Sequence, residues 1–121
     1  MTDQQRADLL RWAEALESGK YKQTECALRR GNGDFYCCLG VAVEIGIAKE
    51  DDGENVKDFC GFETNDITAF VKANDDWNLT FDQIATAIRW YLDDASVGIE
   101  HNLAFVLNQR HKHIDELRSQ Q

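Results

Sequence analysis

Leu79-Thr80-Phe81-Asp82-Gln83-Ile84 carries two helix-start devices at once. Thr80 and Gln83 stand at the spacing of a capping box, in which each side chain satisfies the other residue's backbone N–H. Leu79 and Ile84 stand where a hydrophobic staple fixes the angle of entry. Phe81, Ile84, Ala85, Ile88, Tyr91 and Leu92 then follow one helical face. The spacing predicts a helix over residues 81–93. A helix with one oily side must lie against something, so the rest of the chain has to supply the other half of a core.

The same period recurs on both sides. Thr2 and Gln5 resemble a second capping box, and Leu9, Trp12, Ala13 and Leu16 keep helical spacing. Gly19 sits where a left-handed residue stops a helix, so the first helix spans residues 3–18. Cys38, Val41, Ala42 and Ile45 predict a buried helix over residues 38–46, ended by Gly46. Gly40 inside it costs about 1 kcal/mol relative to alanine, which close packing against another backbone would offset. Asn65 or Asp66 is placed to cap a short helix over Ile67, Phe70 and Val71, broken by Asn74-Asp75-Asp76. Ser96 is placed to cap a last helix carrying Ile99, Leu103, Val106, Leu107, Ile114 and Leu117. Arg110, Lys112 and Arg118 suit the negative end of that helix.

Residues 21–30 break the helical pattern. Thr24, Cys26 and Leu28 alternate with Gln23, Glu25, Ala27 and Arg29, the period of a half-buried strand. Gly31-Asn32-Gly33-Asp34 reads as a turn, because Gly and Asn accept positive φ cheaply. Phe35, Tyr36 and Cys37 form the returning strand. Two strands alone are marginal in water, so this hairpin must lean on helices. The expected fold is α+β and mostly helical, with about five helices packed around one short β-hairpin at residues 21–37. One domain is expected over residues 1–121.

Residues 49–65 read as a solvated acidic loop that Phe59 and Phe62 pin to the body. A calcium loop is the sharper alternative. Aligning Gly53 as its central glycine puts Ala48 at the first ligand position, and the match fails.

Composition narrows the function classes. Hydrophobic residues make up 43% of the chain and aromatics 10%, which supplies a core. The formal net charge is −9, so a nucleic-acid backbone is repelled on average and a basic partner attracted. The N-terminus lacks the apolar region of a signal peptide. The longest apolar run, residues 37–43, is far too short for a membrane span. These features predict a cytoplasmic protein with no membrane partner. Cys26, Cys37, Cys38 and Cys60 form no C-x-x-C pair, and in a reducing compartment they read as small buried hydrophobes rather than metal ligands.

Motif searches for chemistry return little. No nucleophile elbow and no phosphate loop is present. His111 and His113 are two residues apart and face different sides of a helix. A cysteine- or metal-dependent enzyme therefore ranks last, and neither a cofactor nor a metal is expected. Lys20, Lys22, Arg29 and Arg30 interleave with Tyr21 and Tyr36, a basic patch against the global charge. That patch suits a small anionic ligand, nucleotide-like in chemistry. The expected ligand site comprises Tyr21, Gln23, Arg29, Tyr36 and Cys38, with Asn74 and Asp75 approaching from the loop. The plainer alternative is that Gln23 and Arg29 satisfy buried backbone and helix ends.

Trp12-x-x-Ala15-Leu16-x-Ser18-Gly19-x-Tyr21-x-Gln23, Leu28-Arg29 and Tyr36-Cys37-Cys38-Leu39-Gly40-Val41 together resemble a family of small proteins of tailed bacteriophages and prophages. Asn74-Asp75 and Thr80-Phe81-Asp82-Gln83-Ile84-Ala85 are similar to a later segment of that family. The resemblance implies a phage accessory protein in the host bacterial cytoplasm. It implies a non-enzymatic role, binding and modulating a host protein, with counter-defence among the possible purposes. A small-ligand sponge is the alternative.

Overall fold

The structure, a computed structural model, describes residues 1–24, 28–30, 35–51 and 55–119. Among them are five helices: α1 (Asp3–Glu17), α2 (Cys38–Glu44), α3 (Thr64–Asp75), α4 (Phe81–Asp93) and α5 (Ile99–Ser119). Five short strands accompany them: β1 (Lys22–Gln23), β2 (Arg29–Arg30), β3 (Phe35–Tyr36), β4 (Lys49–Asp51) and β5 (Asn55–Lys57). The fold is α+β and mostly helical. No described helix is long and apolar enough to cross a membrane.

The capping devices act as the sequence predicts. Thr2 Oγ1 accepts from Gln5 N at 3.1 Å, and Thr80 Oγ1 accepts from Gln83 N at 3.2 Å. Gln5 and Gln83 each return a bond to the cap residue's N–H at 2.9 Å. Leu79 and Ile84 are both buried, as a staple requires. α2 closes in a Schellman motif, with Ile47 N donating to Ala42 O and Gly46 N to Val43 O, both at 3.0 Å. Gly46 takes the left-handed backbone (φ +84°) that this closure needs.

The core is an aromatic knot wrapped in aliphatic helix faces. Trp12 is fully buried and meets Phe59 and Phe70 edge-on, with centroids 4.9 and 4.7 Å apart. Burying a ring system of this size contributes about 5 kcal/mol at roughly 25 cal/mol/Å². Phe59 and Phe62 tie the acidic connection to that knot, as expected. Gly40 explains itself here. A Cβ at Gly40 would run into the Leu28 carbonyl oxygen. The same carbonyl accepts from Cys37 N at 3.1 Å, so the chain before β2 lies directly on α2.

Four expectations need correction. The strand over residues 21–30 is two strands. β3 is central; β2 pairs with it antiparallel, as the hairpin requires, but β1 pairs with it in parallel. Thr24, just past β1, still donates its N–H to Tyr36 O at 2.7 Å, while its carbonyl accepts from Asn74 Nδ2 at 2.8 Å. Second, the acidic connection contains an antiparallel hairpin, β4–β5, anchored by buried Val56 opposite Glu50. Third, α3 is longer than expected and starts after Glu63. Asp66 accepts from Glu63 N at 3.2 Å, and Asn74 and Asp75 form its last turn instead of breaking it. Fourth, Ser96 does not cap α5. Its N and Oγ donate to Asp94 Oδ1 at 3.1 and 2.5 Å, and α5 begins at Ile99. The turn at residues 31–34, Cys26 and the loop around Gly53 lie outside the described residues, as do the side chains of Arg29, Arg30, His111 and His113.

Candidate functional site

Two amides meet where β1, α2, α3 and α4 converge. Asn74, in the last turn of α3, is 1% exposed. Its Oδ1 accepts from Gln23 Nε2 at 2.9 Å and from Cys38 N at 3.3 Å. Its Nδ2 donates to Thr24 O and to Asp75 Oδ1, both at 2.8 Å. Gln23 Nε2 also donates to Leu79 O at 2.8 Å, and Gln23 Oε1 accepts from Phe81 N at 3.2 Å. Cys38 and Phe81 are the first residues of α2 and α4, whose N–H groups have no partner within their own helices. The two amides therefore serve as remote caps for two helices. Among the described residues no buried side-chain nitrogen or oxygen lacks a partner.

The structure thus brings Gln23, Cys38, Asn74 and Asp75 together, as the sequence reading expects. It places them as a clasp, with their hydrogen-bonding atoms turned on one another and on backbone. Cys38 donates its thiol to Phe70 O at 3.6 Å, and its carbonyl accepts from Trp12 Nε1 at 3.0 Å. Cys37 takes the N-cap of α2, its sulfur accepting from Gly40 N at 3.4 Å. Burial pushes both thiols up, Cys38 well above the ordinary range. Burial also pushes the Cys60 thiol up to about 11. A thiol that resists ionising is a poor nucleophile and a poor metal ligand at neutral pH. Among the described residues no cluster of three or more His, Cys, Asp or Glu side chains is placed to hold a metal ion.

Tyr21 and Tyr36 stand outside the clasp, half-buried and edge-on with centroids 5.2 Å apart. Lys20 Nζ lies 5.5 Å from the Tyr21 ring, and Lys22 Nζ lies 5.9 Å from the Phe35 ring. Register places Lys22, Phe35 and Arg30 in one cross-strand row, and Gln23, Tyr36 and Arg29 in the next. Tyr21 divides two surface depressions. One, of about 260 Å³, runs to Gln23, Phe81 and Asp82; the other, of about 350 Å³, runs to Arg11, Lys20 and Ile45.

The sequence reading missed a second surface. Trp90 on α4 and Phe105 on α5 are 37% and 47% exposed, and their rings meet edge-on at 5.4 Å. The signal was present. Trp90 falls off the Phe81–Ile84–Ile88 stripe, and Phe105 falls off the Ile99–Leu103–Val106 stripe. A large aromatic on the polar side of an amphipathic helix has no core duty there.

A family model described as a domain of unknown function (DUF8296) matches residues 5–68, a little over half of the chain. No curated protein and no solved structure matches.

Proposed function

The chain belongs to the family described as a domain of unknown function (DUF8296), and from that premise we propose a small, non-enzymatic accessory protein that binds and modulates a protein of its bacterial host. The resemblance to small tailed-phage proteins supports the setting, the cytoplasm of an infected cell. The single observation that carries the reading is the exposed Trp90–Phe105 pair, large aromatic surface held outside the core. The buried, hard-to-ionise thiols weigh against a cysteine enzyme. The test is affinity capture from bacterial lysate with the immobilised chain and a W90S/F105S variant. A specific partner held by the wild type and released by the variant supports the reading. Recovery of no specific partner refutes it.

A second reading has its own observation. Arg11 and Lys20 line one depression with Tyr21 and a single carboxylate, Glu14, and two cations beside an aromatic ring suit a small nucleotide-like anion. Thermal-shift screening at millimolar nucleotide checks it, since a bound ligand raises the melting temperature by mass action. A flat profile removes it.

A further inference from the structure

β3 is the central strand of its sheet, and its two side chains go to opposite faces. Tyr36 is half-buried, whereas Phe35 is 40% exposed. β1 repeats the pattern, with Gln23 half-buried and Lys22 exposed. Lys22 and Phe35 stand directly across from each other, so they share the outward face. Lys22 Nζ lies 5.9 Å from the Phe35 ring centroid. Register sets Arg30 across from Phe35 on the other side of the row. Lys20 is exposed two residues before Lys22. Among the described residues Lys20 and Lys22 have no carboxylate partner, whereas Arg11, Lys49 and Arg89 each have one. Going beyond both readings above, we infer that this face binds single-stranded nucleic acid, one base stacked on Phe35 and backbone phosphates held by Lys20 and Lys22.

Charge and ring chemistry select that occupant. Residues 20–36 hold four of the 13 Lys and Arg and two of the 22 Asp and Glu; those two, Glu25 and Asp34, lie outside the described residues. The segment is therefore basic on a chain of net charge −9, and the rest of the surface turns a phosphate chain back towards it. A phosphate paired with Lys22 has its own base within reach of the Phe35 ring. Bases stack on aromatic side chains whatever their sequence, and cations beside such a ring track the backbone. A duplex keeps its bases stacked inside, away from the ring. An acidic peptide would bring carboxylates towards the negative face of Phe35. Pairing on both sides holds β3 in place, so the ring is offered from a fixed strand.

The probes are fluorescein-labelled oligothymidine and oligouridine, titrated against the full chain by fluorescence anisotropy. The controls are the oligothymidine–oligoadenine duplex and a labelled polyglutamate peptide. We expect saturable binding of a single strand, at least about tenfold tighter than the duplex, and none of polyglutamate. Three cations, Lys20, Lys22 and Arg30, at roughly −0.7 each give a salt slope of about −2, which is about a hundredfold loss for a tenfold rise in salt. K22A lowers that slope by about 0.7, one phosphate's share, and F35S weakens binding about tenfold with the slope unchanged. Circular dichroism reports whether each variant is folded, and the comparison of probes on the wild type needs no variant. Absence of saturable binding to both single strands at low salt overturns the inference. So does equal binding of the duplex or of polyglutamate, or unchanged affinity in both folded variants.

Discussion

Asn74 is the residue whose loss the fold can least absorb. Asn74→Ala removes the acceptor of Cys38 N and the donor to the Thr24 carbonyl, both inside the clasp. It also takes one of the two acceptors from Gln23 Nε2, which keeps Leu79 O. Leaving a buried polar group unsatisfied costs about 1–3 kcal/mol; Cys38 N is fully buried and the Thr24 carbonyl partly so. With a small cavity added, the expected loss is about 3–5 kcal/mol. For a chain of this length that lowers the melting temperature by roughly 10–20 °C. Asn74→Asp separates hydrogen bonding from volume. The carboxylate still accepts from Cys38 N but faces the Thr24 carbonyl and Asp75 without a donor. Its pKa in the folded protein must rise above the unfolded value, so the variant is worst near neutral pH and regains stability as pH falls through that raised pKa. Guanidinium unfolding followed by tryptophan fluorescence, at pH 7 and near pH 5, measures all three proteins. A loss under about 1 kcal/mol for Asn74→Ala would refute the clasp as a stabilising element, because that is the net worth of one ordinary hydrogen bond.

Three further outcomes are expected. Gly40→Ala should destabilise by about 2 kcal/mol or more, seen as a lower melting temperature, because backbone overlap with Leu28 outweighs about 1 kcal/mol of gained helix propensity. Arg89→Ala should cost no more than about 1 kcal/mol, and less at high salt, since its two-bond pair with Glu17 is well exposed. Alkaline stability should fall because the folded Cys60 thiol is held up at about 11 against an ordinary 9.0. The unfolded chain ionises first, so stability is full below about pH 9 and declines as pH rises towards 11, and Cys60→Ala flattens that slope in urea midpoints taken across the range.

The elements legible in the sequence are those whose signal is local. A capping box and a staple lie within six residues, so α1 and α4 are readable almost to the residue. Gly40 is readable as a contact because a glycine inside a helix needs compensation, although nothing local says that Leu28 supplies it. Two of the misreadings, β1 and the end of α3, share one cause: each depends on a partner far along the chain. Alternation over residues 21–30 is a true strand signal, but β1 stops after two residues, and Asn74, fifty residues away, takes the carbonyl of Thr24 just past it. Asn74-Asp75 looks like a helix breaker because Asn and Asp compete locally for backbone groups. It is instead the last turn of α3, since its amide finds partners on β1 and α2.

The candidate site follows the same logic with a different outcome. Gln23, Cys38, Asn74 and Asp75 are legible as a group because polar side chains interleaved with core residues must converge somewhere dry. Their convergence has two explanations, a ligand or the backbone itself, and spacing alone does not separate them. Counting bonds does. Gln23 and Asn74 direct seven hydrogen-bond ends at one another and at helix starts, the Thr24 and Leu79 carbonyls and Asp75, so the amides expected to contact a ligand are engaged within the protein. Recognition has to use surface that folding leaves over. Trp90 and Phe105 are such surface, because a helix stripe of three or four residues per two turns fills the core without them. An aromatic that the core pattern does not call for is thus a better pointer to a partner here than a polar residue that the core pattern surrounds.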